Sequence, residues 1–282
     1  MQAGTQEFWR VANASANTIL DLQVKVGNRA QPLQIVGLDG VPVGSQDGTA
    51  QGTIITQRDI LLPPAGRAEF IVSAPRPGRK AVLMTEAIDG GPAADSNPER
   101  PIATIETTNT AARMERMPER SGPPHAQRFA GLADAEVTAK RDLYFSEIPS
   151  TGSRTEGFKF YITVKGQFQK LFDPNDPPDI TTTQGAVEDW TIENHTAEVH
   201  EFHIHQIHFL LLAVNGKKVP KQQQQFYDTY QVPYWAGDGP FPSIKVRMDF
   251  RGPTVGEFVY HCHILDHEDG GMMGIIRVLP KS

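Results

Sequence analysis

The sequence predicts an all-β chain of two β-sandwich domains joined by an irregular linker. Three observations carry this. The first is a succession of short β-friendly segments, each bounded by Gly, Pro or Asp. The second is period-2 alternation, clearest at Leu20, Leu22, Val24 and Val26, which marks a half-buried strand. The third is a content of 25 Gly and 22 Pro among 282 residues, suited to many turns and few long helices.

In order, FWRVAN, ILDLQVKV, PLQIVGLDG, GTIITQRDILL, AEFIVSA and KAVLMTEAIDG read as strands of a first domain over residues 1–115, and GGPAADSNPERP reads as a loop. From Thr107 to Arg141 the pattern loses its period, and residues 116–141 are assigned as the linker. LADAEVTAK is expected to form a short helix at its end, and His125 reads as a solvated loop histidine. The second domain covers residues 142–282, with LYFSEI, KFYITVKG, GAVEDWTIENHT, DTYQVPYWAG, SIKVRMDF and GEFVYHCHI as strands. Gln222 to Gln225 reads as a loop.

Composition excludes several classes. A net charge of -6 without a basic run gives no footprint for nucleic acid. The longest apolar run, FLLLAV, is far short of the ~20 residues of a membrane helix. Polar residues follow Met1, so no secretory signal is visible. A single cysteine excludes an internal disulfide.

That cysteine lies in YHCHILDHEDGGMMG, residues 260–274. A thiolate, two imidazoles and a weakly held thioether make a blue-copper electron-transfer set. Cys262, His267 and Met272 supply three of these, and HEFHIHQIH over residues 200–208 offers the second imidazole. On a strand, neighbours point to opposite faces and i, i+2 residues share one. His261 and His263 therefore face away from Cys262, and the three cannot serve one mononuclear site. They serve two sites on either side of the strand, joined by a few covalent bonds. His203 and His205 likewise share a face, and His200 falls on the other parity or in the preceding loop. Two groups result: His200, Cys262, His267 and Met272, and the all-imidazole His203, His205, His261 and His263.

HEFHIH and HCHILDHEDGGMM resemble the two C-terminal copper motifs of the multicopper oxidases, the laccase family, and GAVEDWTIEN is similar to that family's approach strand. The resemblance implies two cupredoxin-like Greek-key β-sandwich domains: a copper-free middle domain, a weaker match, and a C-terminal domain. It implies His200, Cys262 and His267 as type 1 copper ligands with Met272 axial, its spacing of ten from Cys262 favouring it over Met273. It also implies His203 as a type 2 ligand, and His205, His261 and His263 as type 3 ligands. Glu268 stands where related bacterial laccases carry an acid near the oxygen site. It reads either as a proton-delivering group or as a surface carboxylate beside Asp266 and Asp269.

The family's trinuclear site takes four more histidines, as two His-x-His motifs of an N-terminal domain, and no such motif occurs here beyond HIH and HCH. His195 and His208 read as structural or solvated. The expected cofactor is thus type 1 copper, with type 2 and type 3 copper where a partner completes the cluster. Three explanations stay open: a part of a longer enzyme, a second polypeptide supplying the missing domain, or a short relative with only the electron-transfer copper. The implied activity is one-electron oxidation of phenols or aromatic amines coupled to dioxygen reduction to water, in the periplasm or outside the cell. The alternatives are a type 1 electron-transfer or copper-binding protein, a two-domain copper nitrite reductase, which needs a longer gap than Cys262 to His267, and a zinc site, against which face alternation and Met272 argue.

Overall fold

The computed structural model describes residues 1–45, 52–108, 129–149 and 157–281. His125 and residues 116–128 of the expected linker lie outside them.

The first unit is two five-stranded sheets face to face. One runs Gln6–Ala12, Arg67–Ser73, Leu33–Leu38, Val41–Pro42, with Ile55–Gln57 paired to Leu33–Leu38. The other runs Arg100–Ile105, Ala81–Thr85, Leu20–Val26, Arg29–Ala30, with Ile60–Leu62 on Leu20–Val26. Alternate residues fill the space between them, including Leu22, Val24, Leu33, Ile35, Phe70 and Val72. Burying those faces stabilises the sandwich by roughly 25 cal/mol per Å² of apolar surface removed from water. Asp39-Gly40 closes the Leu33–Leu38/Val41–Pro42 hairpin with φ of 47° and 75°. A two-residue turn of the hand that suits twisted strands needs positive φ at both positions, which Asp tolerates and Gly favours.

The second unit pairs a seven-stranded and a five-stranded sheet. The larger runs Phe158–Val164, Ala139–Pro149, Val187–Asn194, Ser243–Asp249, Phe209–Val214, Lys217–Lys218, with Phe226–Tyr227 alongside. The smaller runs Ile180–Thr183, Met273–Leu279, Gly256–Cys262, His200–Ile204, Thr229–Val232. Trp190, Phe202, Phe209 and Tyr260 fill the centre. The buried Glu188 is fully engaged, accepting two bonds from Arg141 and one each from Thr182 and Trp190 Nε1. Two cupredoxin-like sandwiches are therefore the architecture, and no helix among the described residues is long and apolar enough to cross a membrane.

The expected helix at LADAEVTAK is corrected. Only Leu132–Asp134 forms a single 3-10 turn, and by Ala139 the chain is a strand in parallel register with Glu188. Leu132 is buried, so tertiary pairing outweighs a weak local helix preference.

Among several contacts of the first unit with the second, two bear on the site. Residues 89–97 form a strap, tied by Val199 N to Gly90 O at 2.8 Å and Ala93 N to Ala197 O at 3.2 Å. Gly91 fits because its φ is +102° and a Cβ would lie 2.3 Å from Ala197 O. The Asp39-Gly40 turn and Arg67 form the other contact, against Asp228.

Candidate metal centre

His200–Ile204 pairs antiparallel with Gly256–Cys262 in the register Phe202↔Cys262, His203↔His261 and Ile204↔Tyr260. This register brings His203 and His261 to one face and Cys262 to the other, beside His200.

On the inner face the Nδ1 atoms of His200 and His267 lie 3.0 Å apart, each 3.6 Å from Cys262 Sγ. Bonds of roughly 2.0 Å to nitrogen and about 2.3 Å to sulfur, at angles near 100–120°, separate such donors by about 3.1–3.7 Å. The donor set thus fits one metal ion. Cys262 and Met272 are fully buried, and Met272 spans the pair by accepting from Cys262 N and donating to His267 O. Met273 sits opposite His261, on the other face. His267 projects from a short helix, Leu265–Asp269, and its ring stacks on Phe160 at 4.4 Å.

The outer nitrogens are held in turn. His200 Nε2 is 2.8 Å from Thr196 Oγ1 and 3.2 Å from Glu147 Oε1, and His267 Nε2 is 3.2 Å from Glu198 Oε1. These oxygens hold the proton on Nε2 and leave Nδ1 for a metal, as partners behind ligand histidines do. Burial pushes the Glu198 carboxyl up, and its bond to Glu147 adds to this against the pull of His267. At Glu147 burial is outweighed by His200 and Glu198, and the carboxyl falls below its usual range. The two carboxyls are thus pushed in opposite directions.

Burial raises the Cys262 thiol, but hydrogen bonds from His200 and His267 outweigh it and bring the pKa to about 5. Burial opposes charge on His267, yet Cys262 and Glu198 raise its pKa to about 10. The metal-free pair is thus a thiolate and an imidazolium at neutral pH. A depressed folded-state pKa means the thiolate persists above about 5 and is lost as pH falls through that value, whereas an unperturbed thiol would ionise near 9. Thiolate ultraviolet absorbance of metal-free protein should therefore titrate near 5. A midpoint near 9, read as the difference from Cys262→Ser, would contradict this geometry.

The outer face uses the opposite ring nitrogens. His203 Nδ1 donates to Asp228 O at 2.9 Å, and His261 Nδ1 to Cys262 O at 2.9 Å. Their Nε2 atoms are left for a metal, and His205 Nε2 lies 3.1 Å from His261 Nε2. The donor atoms of His203, His205 and His261 all fall within 4.8 Å of one another, and the His263 ring lies 5.1 Å from those of His203 and His261. Burial and then the neighbouring imidazoles push His203 down to about 3, keeping it neutral and able to coordinate. At His261 burial is outweighed by Glu268, whose Oε2 is 3.2 Å from Nδ1. That bond in turn lowers the Glu268 carboxyl, and Glu268 faces the imidazole group.

The spare histidines are held elsewhere. His195 is stacked between Phe241 and Tyr144, with Nε2 2.8 Å from Glu193. His208 Nε2 donates to Asp39 O at 2.8 Å. Its position follows from a turn at Gln206, φ 65°, so strand parity does not carry through to it.

Residues 150–282 match a family profile described as multicopper oxidase. Over 129 residues the chain is 35% identical to multicopper oxidase mco of Staphylococcus haemolyticus, covering 44% of this chain and 26% of that protein. The profile match covers somewhat less than half of the chain. The likeness in fold covers nearly the whole chain: multicopper oxidase McoA of Aquifex aeolicus superposes with a TM-score of 0.69 at 21% identity, over 98% of this chain and 56% of that one. A multicopper oxidase from Campylobacter jejuni described as a metallo-oxidase gives 0.68 at 25% identity, over 96% of this chain and 53% of that one. The chain thus spans about half the length of these multicopper oxidase structures and about a quarter of the Staphylococcus multicopper oxidase.

Sequence reasoning missed Glu147, Thr196, Glu198, Asp228 and Thr229, the groups behind the histidines. Glu198 and Thr196 lie in the loop before His200, but nothing local marks Glu147, which is 53 residues upstream of it.

Proposed function

We propose that this chain is the electron-accepting part of a laccase-type copper oxidoreductase. His200, Cys262, His267 and Met272 hold type 1 copper. His203 contributes to type 2 copper, and His205, His261 and His263 to type 3 copper, where a further N-terminal cupredoxin domain or a second chain supplies the remaining ligands. The observation that carries the reading is the convergence of one thiolate and two Nδ1 atoms at 3.0–3.6 Å. When bound, copper supplies one-electron redox chemistry at the first group and dioxygen reduction to water at the second.

The chain's own residues do the rest. A cavity of about 200 Å³ opens beside His267, lined on one side by Phe158, Phe160 and Glu198 and on the other by Asn17, Ala93–Asp95 and Asn97 of the first unit. It takes a small aromatic donor, a phenol or aromatic amine. The phenylalanines pack on the donor's ring, and Glu147 and Asp266 offer oxygens to its O–H or N–H. The backbone joins Cys262 directly to His261 and His263, so a through-bond path links the two groups. Glu268, its carboxyl lowered by His261, offers an oxygen that can take up and pass on a proton beside the imidazole group. The proposed setting is periplasmic or extracellular.

The test is metal content and oxygen uptake. The chain alone should bind about one copper with intense thiolate-to-copper absorption. Uptake with a phenolic donor should appear only when the completing domain is present. Blue colour without uptake in the completed protein would favour an electron-transfer role, and absence of the blue absorption would overturn the reading.

A further inference from the structure

The first unit contains no His or Cys, yet it reaches the imidazole group through a chain of hydrogen bonds. Arg67 Nη1 and Nη2 clamp the Asp228 carboxylate at 2.7 and 2.5 Å, a two-pronged pair across the interface between the units. Asp39, buried in its positive-φ turn, receives Arg67 N at 2.9 Å and Asp228 N at 3.1 Å through its two carboxylate oxygens. Thr229 Oγ1 donates to Asp228 Oδ1 at 3.2 Å. His203 Nδ1 lies 2.8 Å from that same Thr229 oxygen and 2.9 Å from Asp228 O.

The direction of each bond is dictated. A carbonyl and a carboxylate only accept. The threonine hydrogen is committed to Asp228, so Thr229 can only accept from His203. His203 Nδ1 must therefore carry the proton, which leaves the Nε2 lone pair facing the other imidazoles. We infer that Arg67 of the first unit, acting with Asp39 through Asp228 and Thr229, is a positioning residue that sets the tautomer and ring orientation of His203. This rests on the reading of His203 as a ligand. A backbone conformation uncommon outside glycine, at Asp39, is maintained where it serves this contact.

In Arg67→Met the Asp228 carboxylate is no longer clamped and the Thr229 hydroxyl can turn its hydrogen toward Nδ1, which leaves the Asp228 carbonyl as the one acceptor holding the Nδ1 proton and lets the Nε2–H tautomer gain population. Nitrogen NMR of the His203 ring in metal-free protein reads this directly. Wild type should show protonated Nδ1 and unprotonated Nε2, and Arg67→Met a mixture. Cobalt(II) affinity of the imidazole group, measured after copper has filled the Cys262 group, should fall about 10–100-fold. Arg67→Lys, which keeps charge but not the fork, should recover part of it. Thr229→Val breaks the same relay without touching the interface, and serves if Arg67→Met does not fold. The blue absorption of the Cys262 group should be unchanged in all three. A single Nδ1–H tautomer and wild-type cobalt affinity in both Arg67→Met and Thr229→Val would overturn the proposal. Wild type with the expected tautomer but no metal at the imidazoles would instead overturn the ligand reading and leave the positioning intact.

Discussion

Cys262→Ser is expected to remove the blue colour and all donor oxidation while leaving the fold in place. The sulfur is the one atom 3.6 Å from both inner-face Nδ1 nitrogens, and its pKa of about 5 makes it anionic at neutral pH. A serine hydroxyl is nearly the same size but stays protonated and cannot replace a soft, charged ligand. It would leave His200 and His267 without their anion at a fully buried position, a loss on the order of 1–3 kcal/mol. Both sandwiches should survive this. Visible absorption, electron paramagnetic resonance and turnover of a phenolic donor check the result. An intense thiolate-to-copper band in the variant would sink the assignment.

Gly274→Ala is expected to destabilise the second unit and disturb the same site without touching a ligand. Gly274 lies directly across from Tyr260, and a Cβ there would sit 2.5 Å from the Tyr260 Cζ and Oη atoms. Tyr260 is fully buried, with Trp190 edge-on at 5.8 Å, so the ring has nowhere to retreat. Overpacking of this kind costs about 1–3 kcal/mol. Relief by parting the strands would pass to Cys262, two residues beyond Tyr260, and to Met272, two before Gly274. A melting temperature several degrees lower and an altered blue spectrum should result. Gly252→Ala is the control, because nothing lies within 4 Å of its added Cβ. Equal melting temperatures for the two variants would refute the argument.

Much of the inner site was legible because strand parity is a local rule. Cys262 and its neighbouring histidines had to face opposite ways whatever the partner strand. The odd spacing of His200 from His203 placed His200 with Cys262, as the register Phe202↔Cys262 now requires. The reasoning stopped where regular structure stopped. The turn at Gln206 broke parity before His208, and the five-residue helix that presents His267 is too short to carry a period. LADAEVTAK misled because its weak helical preference competes with a parallel strand partner 49 residues away, at Ala139↔Glu188.

The sequence by itself determined the all-β class, the two donor sets and the face each occupies, since alternation and donor chemistry are properties of neighbouring residues. Only the tertiary structure decided which ring nitrogen each histidine presents. That choice belongs to Glu147, Glu198, Asp228 and, through Asp228, to Arg67 and Asp39. A tautomer is set by whichever group accepts the other nitrogen's proton, and here the decisive acceptors come from distant strands and, at one remove, from the other unit.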